Sequence, residues 1–143
     1  MSDLSQKIYC SAGVIVIEGG KILLARRLKG AGAGKWGTMG GHVELGESPR
    51  EAAIREAKEE FGIEVGNLKF LFIAHELYGD KQYVDVVFTA DIVSGNPKNM
   101  EPEKKADLNW YELNNLPGEL FKPVEIGLQA IKSGETYFEF RVE

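Results

Sequence analysis

The segment Gly41 to Ile63, GHVELGESPREAAIREAKEEFGI, constrains this chain more than any other part of it. It carries its own helix boundaries. Ser48 is a good N-cap, Pro49 suits the first helical position, and Glu51 completes an S-x-x-E capping box. Gly62 supplies the stop, so the spacing predicts a helix from Pro49 to Phe61. On the helical wheel Ala53, Ala57 and Phe61 form an apolar stripe; Glu60 falls inside it, Glu56 at its edge, and Glu59 further round. Like charges at these spacings weaken a helix by about 0.2–0.5 kcal/mol per pair, so helix propensity does not favour the cluster. Carboxylates turned toward a protein interior need a cation. A hard divalent ion held by oxygen ligands meets that need, and Mg²⁺ is the usual one beside phosphates. The plainer alternative is a solvated acidic helix whose glutamates pair with Arg50, Arg55 and Lys58. Three features weigh against it: Gly40-Gly41 frees the backbone for close approach to a ligand, Glu47 stands just before the N-cap, and Arg55 is placed to pair with the acidic cluster.

The rest of the chain frames that segment. Its 143 residues fit one domain with one core, here taken as residues 1–143. The apolar run Ile8 to Ile17, the turn Glu18-Gly19-Gly20-Lys21 and the run Ile22 to Ala25 predict a β-hairpin. A glycine-rich loop follows at Gly30 to Gly34. Beyond the helix, Leu68 to Tyr78 and Tyr83 to Ile92 read as strands around Gly79-Asp80. A short strand near Leu108 to Tyr111 and a second helix from Pro123 to Lys132 complete a pattern of α/β (α+β) type, a mixed sheet with helices packed on it. The net charge of −5 argues against broad nucleic-acid or anionic-membrane surfaces, which need basic patches. No apolar run is long enough to span a bilayer, and the polar stretch Met1 to Gln6 does not resemble a signal, so a cytoplasmic location is expected. The lone Cys10 reads as a small buried core thiol.

Gly41 to Ile63 resembles the Nudix box, G-x5-E-x7-R-E-U-x-E-E-x-G-U with U a bulky aliphatic residue. Gly41, Glu47, Arg55, Glu56, Glu59, Glu60, Gly62 and Ile63 match it, and Ala57 is a small occupant of the first U position. The approach Lys35-Trp36-Gly37-Thr38-Met39-Gly40-Gly41-His42 is also similar to the family, with Met39 where a proline is common. The resemblance implies the Nudix fold, a mixed sheet sandwiched between helices with the box as loop–helix–loop. It implies that Glu56 and Glu60 ligate Mg²⁺ (with Mn²⁺ as a substitute), that Glu59 is a further ligand or the base, and that the Gly40 carbonyl is an additional ligand. Gly41, Glu47 and Arg55 would then support the site, and the activity would be cleavage of a phosphoanhydride bond.

Outside the box, Arg26 and Arg27 end a strand, and alternation sends them to opposite faces, so only one of them reaches a given site. A bidentate guanidinium suits a substrate phosphate. In MutT-like relatives the arginine matching Arg27 lies at the substrate, which selects Arg27. Glu103, in Glu101-Pro102-Glu103-Lys104, resembles the distant carboxylate of triphosphate-cleaving members and is a candidate metal ligand; the alternative is a solvated acidic loop. Asp85 interrupts the apolar run Val84, Val86, Val87, Phe88 and is a candidate for facing a substrate base. His42 and His75 read as structural or surface residues. Tyr78 stands where ADP-ribose-directed members tend to carry a proline, and neither the NADH-directed nor the coenzyme A motif is present. The stretches GAGKWGTMGGHVELGES, NPKNMEPEKKADLNW and LPGELFKP are similar to the nucleoside triphosphate diphosphatase branch. That implies a small nucleotide substrate cut to the monophosphate and pyrophosphate, with no duplex nucleic acid or membrane as partner and a homodimer left open. Three other readings compete: a hydrolase of another nucleoside diphosphate-X such as a nucleotide sugar or ADP-ribose; a catalytically idle ligand sensor, disfavoured because no box glutamate is lost; and an RNA 5′-end hydrolase, disfavoured by the acidity.

Overall fold

The computed structural model describes residues 7–142, so Met1 to Gln6 lies outside the described residues. In chain order the elements are β1 (Ile8–Ile15), β2 (Ile17–Glu18), β3 (Lys21–Arg27), β4 (Trp36–Gly37), β5 (Met39–His42), α1 (Pro49–Phe61), β6 (Glu64–Tyr78), β7 (Lys81–Ser94), β8 (Lys105–Glu112), α2 (Lys122–Ser133) and β9 (Tyr137–Val142). Five strands form a mixed sheet in the order β5-β1-β7-β6-β9, antiparallel at β5-β1 and β7-β6 and parallel at β1-β7 and β6-β9. A second sheet centres on β3, which pairs antiparallel with β2, β4 and β8.

Period-two alternation divides the main sheet between two helices. Ala12 and Val14 of β1 pack with Ala52, Ala53, Ala57 and Phe61 of α1, whereas Ile15 packs with Val124, Ile126 and Ala130 of α2 and with Phe72. The sheet is therefore sandwiched, as the sequence leads one to expect. The helix α1 begins and ends where its caps dictate. Ser48 Oγ accepts from the Glu51 N–H at 3.1 Å, the Ser48 N–H donates to Glu51 Oε1 at 3.0 Å, and Gly62 closes the helix in the left-handed region at φ 66°.

Three expectations need correction. The predicted hairpin is short: only Ile17-Glu18 pairs with Lys21-Ile22. β1 itself joins the other sheet, because the chain changes sheets at Val16. Cys10 is exposed rather than buried, since only the second half of β1, from Ala12 on, runs beneath α1. The strand β9 lies beyond the last expected element and continues the sheet past β6. Among the described residues no helix is long and apolar enough to cross a membrane.

Candidate active site

Arg55 organises the first turns of α1. Its Nε and Nη2 donate to the two oxygens of Glu47 at 2.7 and 3.0 Å, a bidentate pair, and Nη2 also reaches the His42 carbonyl at 3.0 Å. Its Nη1 donates to Glu56 Oε1 at 2.9 Å and to Glu59 Oε2 at 3.1 Å. Hydrogen bonding by Arg55 and by the Glu44 N–H holds the Glu47 carboxyl down to about 2. Glu47 and Arg55 thus tie the loop before the helix to the helix itself.

Glu60 lies within the buried stripe, 6% exposed. Its Oε2 accepts from the Gly40 N–H at 2.7 Å and its Oε1 from Lys105 Nζ at 2.8 Å. Burial pushes this carboxyl up to about 7, a rise that the Lys105 charge and the Gly40 hydrogen bond only partly offset. Burial likewise raises Glu56, against the pull of Arg55. A Cβ on Gly41 would stand 2.5 Å from Glu56 Oε1, so only glycine leaves that carboxylate its place. Gly40 is equally constrained, a Cβ there falling 2.7 Å from the Ala12 carbonyl oxygen.

Glu56, Glu59, Glu60 and the Gly40 backbone form an all-oxygen set of hard donors, which fits a hard divalent cation. Among the described residues no three His, Cys, Asp or Glu side chains already converge in a metal-holding geometry. Glu56 and Glu60 instead take positive charge from Arg55 and Lys105. Glu59 is exposed, and so is Glu103. Glu101, two residues earlier, is the acidic residue of that loop that approaches the cluster, its Oε1 lying 3.3 Å from Lys105 Nζ.

Gly40 and Gly41 also form part of the wall of a cavity of about 300 Å³ on the α2 face of the main sheet. Ser11, Gly13, Glu76, Tyr78, Tyr83 and Asp85 line it from β1, β6 and β7, and Arg27, His42 and Phe121 close its sides. The strand alternation separates the two arginines. Arg26 Nε pairs with Asp107 Oδ2 at 3.1 Å on the outer side. Arg27 turns into the cavity, with Nε donating to the Ala31 carbonyl at 2.8 Å and the guanidinium 4.0 Å from the centre of the Phe121 ring. Asp85 lines the same cavity, beside Glu76. His42 is exposed and stacks on Tyr9 at 4.9 Å, and His75 is half-buried.

Lys105, Glu76 and Phe121 are the residues here that the sequence reading passed over. Glu76 had a signal, for it continues the alternate set Phe72 and Ala74 that fills the core. Lys105 had none; its partner lies 45 residues away.

The sequence model of a family described as NUDIX domain matches residues 10–130. An oxidized purine nucleoside triphosphate hydrolase of Danio rerio is 35% identical over 111 residues, covering 73% of this chain and 66% of that protein. An NAD-capped RNA hydrolase, NudC, of Pseudomonas aeruginosa is 36% identical over 104 residues, covering 73% of this chain and 36% of the relative. The chain therefore spans just under two thirds of the first relative and about a third of the second. Among solved structures, a MutT NUDIX hydrolase from Burkholderia pseudomallei superimposes with a TM-score of 0.84 at 30% identity, covering 88% of this chain and 99% of the other.

Proposed function

The chain belongs to the Nudix family, and from that premise we propose that it is a Mg²⁺-dependent pyrophosphohydrolase that cuts a nucleoside triphosphate between the α and β phosphates, releasing the monophosphate and pyrophosphate. One observation carries the reading. The carboxylates of Glu56 and Glu60 converge on Gly40-Gly41, the same backbone that walls the cavity holding Arg27. Charged phosphates and the groups that act on them would meet there.

Nudix hydrolases generally use divalent cations. When bound, such an ion neutralises phosphate oxygens and lowers the pKa of a coordinated water. Glu56 and Glu60 would hold it, with the Gly40 carbonyl and Glu59 as further oxygen donors, Glu59 being also a candidate base. Arg27 would grip a phosphate through its guanidinium fork. Glu47 and Arg55 would keep loop and helix in register.

The test is pyrophosphate release from a nucleotide panel with Mg²⁺, run on wild type, Glu60→Gln and Glu47→Gln. Glu60→Gln is expected to lose about 10²–10³-fold in kcat while remaining folded. Glu47→Gln is expected to lose less, because it supports the ligands rather than supplying one. Turnover by Glu60→Gln within about threefold of wild type at saturating Mg²⁺ would overturn the reading. The near-equal identity to the NudC relative supports a second reading, in which the bond cut joins two nucleotide halves. Its products would be two monophosphates, with no pyrophosphate.

A further inference from the structure

Lys105 is buried, 8% exposed, and a lysine seldom leaves water unless its ammonium is paired. Its partners are acidic residues of two different elements. Nζ donates to Glu60 Oε1 of α1 at 2.8 Å and to Glu101 Oε1 of the loop before β8 at 3.3 Å. That loop is built to put the lysine there. Asn99 Nδ2 donates to the Lys105 carbonyl at 2.7 Å, and the Lys105 N–H donates to the Glu101 carbonyl at 3.0 Å. The loop is also clipped to the end of α1, with the Lys98 N–H donating to the Phe61 carbonyl at 2.9 Å and the Met100 N–H to the Glu60 carbonyl at 3.0 Å. Backbone bonds therefore fix the root of Lys105 beside Glu60.

The two bonds that Glu60 accepts differ in kind. The Gly40 N–H on Oε2 is neutral and leaves the carboxylate its charge, whereas the ammonium on Oε1 cancels it. Arg55 is engaged with Glu47, Glu56 and Glu59, so the positive charge in contact with Glu60 comes from Lys105. A divalent ion drawn to Glu60 would meet a positive charge already at hydrogen-bonding distance. Little water is present there to screen the repulsion. Glu101 gives the ammonium a second carboxylate within reach, with no movement of the backbone. A pair that served packing alone would gain nothing from charge, since apolar residues of similar volume usually fill such a place as well.

We propose that Lys105 is a tethered cation that competes with the divalent ion for Glu60 in the free enzyme and passes onto Glu101 when the ion enters. This rests on the divalent-cation reading of Glu56 and Glu60 above. Lys105 then lowers the affinity of the free site for metal, and Glu101 restores part of it by receiving the displaced ammonium.

Calorimetric titration with Mn²⁺ alone tests this without turnover. The chain is stripped with EDTA and dialysed, and the buffer is set on the alkaline side of the Glu60 value of about 7. Lys105→Met keeps the length of the side chain and removes its charge, and it is expected to bind Mn²⁺ at least about tenfold more tightly than wild type. Glu101→Gln is expected to bind it about threefold more weakly or worse. In the double variant that loss should vanish, because no ammonium remains to be received. A metal ligand at Glu101 would instead show its loss in both backgrounds. Tm checks the fold of each variant. If Lys105→Met does not fold, Lys105→Gln, whose amide still donates to a carboxylate, carries the same comparison. Unchanged or weaker Mn²⁺ binding in the folded Lys105 variant, or a Glu101→Gln loss that persists beside it, would overturn the proposal. Absence of Mn²⁺ binding by every folded chain would sink the cation reading together with this one. Tighter binding by Lys105→Met in a chain that releases no pyrophosphate would uphold this inference and sink the preceding activity. Pyrophosphate release by wild type, with equal Mn²⁺ affinity in wild type and Lys105→Met, would do the reverse.

Discussion

Arg26 and Arg27 are identical neighbours whose surroundings differ because a strand turns successive side chains to opposite faces. Arg26 meets Asp107 on the outside, and Arg27 enters the cavity. Arg27→Ala is expected to lower kcat/KM by roughly 10- to 100-fold, about 1.4–2.7 kcal/mol, chiefly through KM. Arg26→Ala should do much less. Steady-state kinetics on both variants decide it, and equal losses would refute the facial assignment. Gly41→Ala offers a second residue-level test. Its Cβ would meet Glu56 Oε1 at 2.5 Å, so the carboxylate must move, and activity should fall further than Tm does. How far such residues were legible depends on the range of the rule involved. Alternation is local, so the separation of Arg26 from Arg27 could be read from two letters. The pairing of Lys105 with Glu60 spans 45 residues and a loop whose path no local rule describes. The path of the same loop leaves Glu103, selected by family resemblance, exposed, and brings Glu101 toward Lys105.

Elements with their own punctuation were the legible ones. The helix α1 runs from Pro49 to Phe61, as its capping box and Gly62 predict. Ser48→Ala removes one of the two reciprocal bonds of that box and should cost about 1 kcal/mol in chemical denaturation. β1 was readable as a strand but not in its pairing, since its partners β5 and β7 arrive later in the chain. β9 carries Phe138 and Phe140 in alternation, a short pattern at the sheet edge with no turn signal beyond it. The helix α2 tests packing against propensity. At Gly127 alanine is intrinsically better for a helix by about 1 kcal/mol. Its Cβ, however, would fall 2.2 Å from Ile15 Cδ1, where α2 rests on the sheet. Overpacking of a core costs about 1–3 kcal/mol, so Gly127→Ala should destabilise despite the helical gain. A raised urea midpoint would reverse that order of effects.

At the scale of the molecule, one sheet keeps the glutamate helix on one face and the cavity on the other, with Gly40-Gly41 as the wall between them. The helix face was legible because one segment encodes it. Of the cavity floor only Asp85 stood out, as a charge in an apolar run, because its meeting with Glu76 comes only through the β6-β7 register. Burying three carboxyl groups in this way has a consequence for the whole fold. Glu60, Glu76 and Asp85 have folded-state pKa values raised above their ordinary ones, Glu60 to about 7. Above about pH 4.5 the unfolded chain releases protons that the folded chain still holds on Glu60 and Glu76, so stability falls as pH rises, by up to about 1.4 kcal/mol per pH unit for each retained proton. Glu47, held down to about 2, acts in the opposite sense, and its contribution is lost as pH falls from about 4.5 toward 2. In metal-free protein the two trends meet in a stability maximum near pH 4.5–5. Calorimetric Tm values measured in EDTA should therefore decline from pH 5 to pH 7.5. Glu76→Gln should flatten that decline, because an amide has no proton to release. Mg²⁺ bound at Glu60 would flatten it further by favouring the carboxylate, and a wild-type Tm that stays level or rises across this range would contradict the protonated floor.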